Sequence, residues 1–170
     1  MRTLESIVKD LAEIFKEKEI EYVIVGGIAV SCLGNIRTTR DVDVIISLKI
    51  EKIKELVDAL KKRNFSVREE DIKDALKEKS HFTIFDDLSL YHIDGKGIYH
   101  ENDLRTIKNK KIIDLDGVII YIASAEDTIA NKLLFGSEQD IRDAEGVYVR
   151  QLPNLDYEYL IKICKELKVY

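Results

Sequence analysis

The sequence contains two cysteines, one proline and no tryptophan among 170 residues. Cys32 and Cys164 lie far apart in apolar surroundings, so neither a disulfide framework nor a cysteine zinc site is predicted. A single proline leaves little room for linkers, and we expect one domain over 1–170. No run approaches the ~18 apolar residues of a membrane span, and the charged N-terminus is unlike a signal peptide. These features predict a reduced, cytoplasmic protein without a membrane partner.

Histidine and positive charge are also scarce. His81, His92 and His100 show neither zinc-ligand spacing nor the arrangement of a serine or cysteine hydrolase. The net charge of −5 argues against a general nucleic-acid coat, which needs a basic face. Abundant Lys, Glu and Ile with few Gln and Met favours a thermophilic source.

Hydrophobic periodicity predicts a mixed sheet flanked by helices. Strands are expected at 22–25, 41–47, 65–67, 81–85, 88–93, 112–115 and 118–122. Helices are expected at 3–18, 28–33, 50–63, 70–79, 124–135, from 137 onward and at 155–167. No pattern is clear over 98–109. The order of elements predicts an α+β (α/β-type) fold with a sheet core at about 20–122 and a helical C-terminal third at about 124–168.

Short signals predict where several elements end or begin. Gly34-Asn35 is expected to end the helix over 28–33 with a left-handed cap. Asp116-Gly117 predicts a tight hairpin turn. Ser124 and Ser137, each followed three residues later by an aspartate, are typical of capping boxes at helix starts.

Two carboxylates stand two residues apart at the start of a predicted buried strand, Asp41-Val42-Asp43-Val44. Successive side chains on a strand point to opposite faces, so Asp41 and Asp43 project to the same side. Like charges at that distance repel unless a cation lies between them. With a third carboxylate they can hold two Mg²⁺ ions roughly 3.5–4 Å apart. The alternative is that both aspartates are solvated.

A third carboxylate is available from Asp94, which follows the predicted strand over 88–93. From there it can reach the Asp41 and Asp43 edge of the sheet. The alternative is that Asp94-Gly95 forms a turn, a common role for this dipeptide. Asp86 and Asp87 are lesser candidates for the same position.

Gly26-Gly27 follows a predicted strand and opens a predicted helix. Glycine lets the backbone approach a phosphate closely, and the free N–H groups of a helix start attract anions. The pattern is neither a Walker loop nor a dinucleotide-binding fingerprint. A pair of glycines can also be only a turn.

Several polar residues could contact phosphates near this turn. Arg37 and Arg40 either bind phosphate or balance local charge, and Thr38 and Thr39 can donate hydrogen bonds. Lys132 either extends to solvent or points at a phosphate.

Asp140 and Asp143 share one face of a predicted helix. Asp140 is also the capping partner of Ser137, and either aspartate could pair with Lys132 or Arg142.

Together these residues resemble the nucleotidyltransferase fold of the DNA polymerase β superfamily. The first motifs are Gly26-Gly27-x-Ala29 and Arg37-x-Thr39-x-Asp41-x-Asp43. Their spacing is similar to that of the branch containing AbiEii-type nucleotidyltransferases and prokaryotic relatives. Ser124-x-Glu126-Asp127-x-Ile129-Ala130-x-Lys132-Leu133 and Asp140-x-x-Asp143 resemble the C-terminal helical motif of that branch.

The resemblance implies a Mg²⁺-dependent transfer of a nucleoside monophosphate from an NTP to a hydroxyl group. Asp41, Asp43 and Asp94 would be the catalytic metal ligands, and Asp94 would help deprotonate the attacking hydroxyl. Candidate nucleotide-binding residues are Gly26, Gly27, Thr39, Arg40, Lys132 and Asp140.

Three functions follow as hypotheses. The first is an active nucleotidyltransferase whose acceptor is an RNA end such as tRNA, a protein side chain or a small molecule such as an aminoglycoside. The second is a catalytically weak nucleotide-binding module with a cognate antitoxin-like partner. The third is a metal-free adaptor whose aspartates are solvated.

Overall fold

The computed structural model describes residues 2–170, which form a seven-stranded mixed sheet and eight α-helices. The strands are β1 (Glu21–Val25), β2 (Asp41–Ser47), β3 (Phe65–Ser66), β4 (Phe82–Asp86), β5 (His92–Lys96), β6 (Lys111–Leu115) and β7 (Val118–Ile122). The helices are α1 (Leu4–Glu17), α2 (Gly26–Leu33), α3 (Ile53–Lys62), α4 (Glu69–Glu78), α5 (Glu101–Lys108), α6 (Ala125–Phe135), α7 (Glu138–Gln151) and α8 (Tyr157–Glu166). The predicted α+β fold with a helical C-terminal third is confirmed.

The sheet has the order β3-β4-β5-β2-β1-β7-β6, which places β2 at its centre. β2 runs antiparallel to β1 and parallel to β5. Val42, Val44 and Ile46 of β2 are buried on one face, as the strand period of two requires. The same period directs Asp41 and Asp43 to the opposite face.

Of three buried apolar clusters, the smallest contains Val23, Ile45, Ile107 and Ala123. The other two fill most of the interior. The larger one joins the sheet to α1, α3 and α4, where the apolar stripe of α1 buries Ile7, Leu11, Ile14 and Phe15. The smaller one lies among α6, α7 and α8 and includes Val30 of α2. Helix α2 therefore packs on the sheet and on the C-terminal helices at once. Cys32 and Cys164 are both free thiols.

The largest departure from the sequence-based prediction concerns β5. The strand predicted over 88–93 begins four residues later, at His92, and continues to Lys96. Leu88 and Leu90 lie instead in an exposed connection, with Leu90 99% accessible to solvent. The alternative of a turn at Asp94-Gly95 is wrong, since both residues lie inside the strand.

One stretch without a prediction forms a helix, and one further prediction of local structure is wrong. The stretch 98–109, which shows no clear pattern, contains α5. Gly34 does not form a left-handed cap, because its φ of −131° and ψ of −133° lie outside the left-handed region. It permits close packing instead, since a Cβ on Gly34 would lie 2.9 Å from the backbone nitrogen of Val147 in α7. The predicted helix over 50–63 begins with a 3₁₀ turn at Ile50–Lys52.

The hairpin and both helix starts agree with their predictions, but of the two predicted capping boxes only that of Ser137 and Asp140 is complete. Asp116 and Gly117 have positive φ values of 48° and 89° between β6 and β7. Ser124 and Ser137 cap α6 and α7 by accepting the backbone N–H three residues on. Among residues 2–170, no helix combines the length and the apolar character that crossing a bilayer requires.

Candidate active site

Four polar side chains form a square on adjacent strands. In the parallel pairing of β2 with β5, Asp41 lies opposite His92 and Asp43 lies opposite Asp94. Residues two apart on a strand share a face, so these four project from the same side of the sheet. The structure thus brings together the three predicted carboxylates, and Asp94 reaches them from within a strand rather than from a strand end.

Asp43 experiences the strongest electrostatic effect in this group. Burial, followed by repulsion from Asp41 and Asp94, raises its pKa from 3.8 to about 6, although Lys132 and His92 partly offset the rise. A carboxyl in this environment favours any process that adds positive charge beside it. Proton uptake and cation binding are the two such processes available.

His92 adds a nitrogen donor to the carboxylates. Its Nε2 atom lies 3.4 Å from Asp94 Oδ2 and 3.7 Å from Asp41 Oδ2. One donor atom from each of Asp41, His92 and Asp94 falls within 4.8 Å of the others. Asp43 lies outside this tighter group. All three side chains are about one third exposed, so a solute can reach them.

The donor set fits a divalent cation. Carboxylate oxygens are the ligands that hard cations such as Mg²⁺ prefer, and the cluster leaves several lone pairs unused. Asp41 Oδ1 lies 3.2 Å from the hydroxyl of Thr39, and Asp94 Oδ1 lies 3.4 Å from that of Thr83. The second carboxylate oxygen of each, Oδ2, is the one nearest His92.

The glycine turn lies directly against this cluster. Gly26 has a φ of +68°, and a Cβ built on it would lie 2.2 Å from Asp43 Oδ2. A Cβ on Gly27 would lie 3.0 Å from Thr39 Oγ1 and 3.5 Å from a terminal nitrogen of Arg37. The turn also begins α2, whose first N–H groups have no intrahelical partner. The arrangement provides unpaired donors beside the carboxylates, as an anion site requires.

Lys132 is buried and ion-paired rather than extended to solvent. Its Nζ atom lies 3.2 Å from Asp140 Oδ1 and 3.1 Å from Asp143 Oδ2. Asp143 is also 3.1 Å from Arg37 Nε, although that N–H is not aligned for a hydrogen bond. One buried carboxylate therefore holds two cationic side chains near the glycine turn.

Asp140 has both of the roles that the sequence leaves open. It completes the capping box of Ser137, and it pairs with Lys132. Burial raises the pKa of Asp140, but the hydrogen bonds of Ser137 and Lys132 outweigh burial and lower it overall. Arg142 pairs with Glu138 instead, at 4.0 Å.

Other candidates lie outside the cluster. Arg40 is exposed and makes no hydrogen bond or ion pair within the described residues 2–170, whereas Arg37 lies beside Gly27. Asp86 pairs with Arg2 at 3.2 Å, and Asp87 accepts a hydrogen bond from Ser66. These two aspartates therefore have structural partners.

A cleft of about 430 Å³ opens beside the carboxylates. Asp43, Asp94 and Gly26 lie on one side, and Lys132, Thr128 and Phe135 of α6 lie on the other. This volume is in the range of small-molecule sites. Thr128 is 6% exposed, and its hydroxyl has no hydrogen-bond partner within residues 2–170. The cleft thus offers an unused polar group as well as the cluster.

Sequence reasoning missed His92 and the charged pair Lys96–Asp103. His92 alternates with Asp94 as Asp41 does with Asp43, so the signal is present once the bounds of β5 are correct. Lys96 Nζ lies 2.9 Å from Asp103, which is buried at the start of α5. The sequence of α5 shows no clear pattern, so the contribution of this helix to the cleft could not be predicted.

A sequence family described as "Nucleotidyltransferase of unknown function (DUF6036)" matches residues 2–170. No curated protein matches the chain. The antigenic nucleotidyltransferase-like protein from Paracoccidioides brasiliensis has a similar structure, with a TM-score of 0.56 at 19% identity. The match covers 96% of this chain and 86% of that one.

Two antibiotic-modifying proteins also have similar structures. ANT(2″)-Ia, solved in complex with adenylyl-2″-tobramycin, gives a TM-score of 0.64 at 11% identity over 98% of both chains. The lincosamide antibiotic adenylyltransferase LnuA, solved with lincomycin bound, gives 0.55 at 15% identity over 85% of this chain and 96% of that one. At these identities the likeness establishes a shared fold.

Proposed function

The chain belongs to this nucleotidyltransferase family, and from that membership we propose that it transfers a nucleoside monophosphate from an NTP to an acceptor hydroxyl. The observation that carries the proposal is the square of Asp41, His92, Asp43 and Asp94 beside the Gly26 turn. Mg²⁺ held by Asp41, Asp43 and Asp94 would supply charge neutralisation for the triphosphate and the transition state.

The chain's own residues have separate tasks in this reaction. The N–H groups at the start of α2, with Arg37 and Thr39, bind the phosphates of the NTP. Lys132 adds positive charge from α6, and its pairs with Asp140 and Asp143 fix its position. A charged group held in place before reaction stabilises the transition state without reorganisation cost.

The chemical step exchanges one phosphoester bond for another. The acceptor oxygen bonds to the α-phosphorus, and the bond from that phosphorus to the bridging oxygen breaks. Pyrophosphate leaves with the bonding electron pair. The hydroxyl proton passes to a carboxylate oxygen of Asp94 and from there to solvent. Positioning and electrostatics provide most of the rate in such phosphoryl transfers.

A small hydroxyl compound is the acceptor class that we propose first. ANT(2″)-Ia and LnuA, which match most of this chain, are structures with an adenylylated or bound antibiotic. The net charge of −5 and the acidic cleft disfavour a polyanionic acceptor such as RNA. RNA ends and protein side chains are the other two acceptor classes, and the experiment below includes both.

Several finer predictions accompany this proposal. They are membership of the AbiEii-type branch, an antitoxin-like partner, a cytoplasmic location, a thermophilic source and organisation as a single domain. The nucleotide-binding module is the second hypothesis. Retention of all three carboxylates supports the enzyme over that module.

The test combines each α-labelled NTP and Mg²⁺ with aminoglycosides, lincosamides, total RNA and cellular protein. We expect covalent label on one acceptor class, and its loss in Asp43→Asn. The exposed Asp74→Asn on α4 is the matched control and should keep full activity. Mg²⁺-dependent NTP binding without label in any arm would favour the nucleotide-binding module. Absence of NTP binding would contradict both hypotheses.

A further inference from the structure

His92 faces two carboxylates at distances that an ordinary hydrogen bond does not explain. Hydrogen bonds from an imidazole to a carboxylate span roughly 2.7–3.2 Å. Nε2 of His92 is 3.4 Å from Asp94 and 3.7 Å from Asp41. Three donor atoms therefore surround a small space without contacting one another.

The separations match those between two ligands of one metal ion. Ligands that each lie about 2.1 Å from a cation, in the tetrahedral directions that zinc prefers, are about 3.4 Å apart. The pairs His92–Asp94 and His92–Asp41 lie close to this value. Partial exposure of all three side chains leaves a coordination position free for water or substrate.

The donor types decide which cation fits best. Mg²⁺ favours oxygen ligands and keeps several waters, whereas imidazole nitrogen suits first-row transition metals such as Zn²⁺, Fe²⁺ and Ni²⁺. Mn²⁺, which prefers oxygen ligands, serves as the paramagnetic probe of the same site. We propose that Asp41, His92 and Asp94 form a site for a divalent transition metal, in which His92 is a direct ligand. A role of this metal in catalysis rests on the proposed function. Binding of the metal itself does not require nucleotide and can be measured without it.

Asp43 distinguishes this site from one made only of carboxylates. It lies outside the group of donor atoms within 4.8 Å and against Gly26, beside the glycine turn. It therefore remains available for a second cation that the triphosphate would bring. The proposed nitrogen-containing site thus lies toward the start of β2, and Asp43 leaves its carboxylate oxygens free toward Gly26.

The experiment measures metal binding to nucleotide-free protein. Mn²⁺ is titrated with detection by electron paramagnetic resonance, Zn²⁺ by calorimetry, and Mg²⁺ by competition. Loss of an outer-shell partner already costs roughly 10–100-fold in metal affinity. Because His92 is proposed as a direct ligand, we expect His92→Asn to weaken Zn²⁺ binding by at least that factor and Mn²⁺ binding in the same direction. Mg²⁺ binding should change far less. Pulsed resonance of the Mn²⁺ complex should show coupling to an imidazole nitrogen, and His92→Asn should remove it.

Two further variants make the outcome specific. His81→Asn removes an exposed histidine that is not part of the cluster and should keep both the metal affinity and the nitrogen coupling. His92→Asp replaces the nitrogen by oxygen and should shift the preference toward Mg²⁺ without nitrogen coupling. Circular dichroism melts verify that each variant is folded.

The two proposals fail in different ways. Nitrogen coupling from His92 without any nucleotidyl transfer would support the metal site and contradict the function. Transfer with Mg²⁺ but without nitrogen coupling would overturn the metal site and leave the function intact. Equal losses of Zn²⁺ and Mg²⁺ affinity in His92→Asn would also overturn it, because they would indicate a general disturbance of the carboxylates.

Discussion

Gly26 combines a left-handed backbone with a close contact. Its φ of +68° favours glycine, and any Cβ would meet Asp43 Oδ2 at 2.2 Å. Gly117 has a φ of +89° but no atom within 4 Å of a Cβ built on it. Substitution of Gly117 therefore introduces backbone strain alone, whereas substitution of Gly26 introduces backbone strain and a steric conflict.

Gly26→Ala should destabilise the protein more than Gly117→Ala does. Backbone strain costs about 1–2 kcal/mol at either position, and the contact with Asp43 adds about 1–3 kcal/mol at Gly26 alone. Urea unfolding curves of both variants measure the difference. NTP binding should fall only in Gly26→Ala. Equal free energies of unfolding would show that Asp43 moves aside without cost.

Single residues differ in how well the sequence reveals them. Asp41 and Asp43 can be predicted because alternation with valines fixes their face without knowledge of any neighbour. His92 and Asp94 need the correct bounds of β5. Thr128 could not be predicted, since its unpaired hydroxyl depends on the packing of α6 beside the cleft.

Helix α8 docks on α6 through a buried carboxylate. Asp127 is 1% exposed and accepts hydrogen bonds from Tyr159 at 2.9 Å and Ser124 at 3.0 Å. Burial raises the pKa of Asp127 above its ordinary value despite these donors, and burial followed by Asp127 raises that of Tyr159. The folded protein thus holds the proton of the Asp127 carboxyl more tightly than the unfolded chain does. Stability from this group is lost as pH rises through the raised pKa.

Tyr159→Phe should make this pH dependence steeper. Without the hydroxyl, ionised Asp127 loses a donor, and the free energy of unfolding should fall by about 1–3 kcal/mol at pH 8. The loss should be smaller near pH 3, because that pH lies below the raised pKa of Asp127 and its carboxyl is protonated there. Urea titrations at both pH values test this. Tyr157→Phe, on the exposed side of α8, is the control and should stay within about 0.5 kcal/mol. An equal loss at both pH values would contradict the role of Asp127.

The elements that the sequence predicts poorly are those that depend on pairing or close packing. Leu88 and Leu90 have strand-like alternation, but the partner β2 pairs with His92 to Lys96. Gly95, a typical turn residue, lies inside β5, where it pairs with Val44 and Phe82. A glycine is required there because a Cβ would meet the ring of Phe82 at 2.6 Å. Helix α5 is held by Asp103, whose carboxylate accepts the N–H groups of Tyr99 and His100. That cap becomes evident only from the folded backbone.

At the scale of the whole molecule, α2 connects the two larger apolar clusters. Ala29 belongs to the cluster on the sheet, and Val30 belongs to the cluster among the C-terminal helices. The cleft is lined by residues of the sheet and of the C-terminal helices, since Asp94 lies on β5 and Lys132 on α6. The sheet and the C-terminal helices are therefore expected to depend on each other for stability.

Unfolding should occur in a single transition over the described chain. Because the chain has no tryptophan, one reporter can be added to each part as Ile119→Trp on β7 and Tyr148→Trp on α7, both at exposed positions. Their fluorescence midpoints in urea should coincide with that of circular dichroism. An earlier midpoint for the α7 reporter would contradict the single-domain prediction.

The alignment of β5 with β2 has a consequence for quality control in the cell. A slip of one residue along β5 would turn Ile93 toward water and His92 and Asp94 toward the interior. Such a chain would expose apolar surface and lose its candidate metal ligands together. Chaperones and proteases that bind exposed apolar surface would then recognise the same molecules that have lost these ligands. One register error would therefore mark a chain with a defective site for removal.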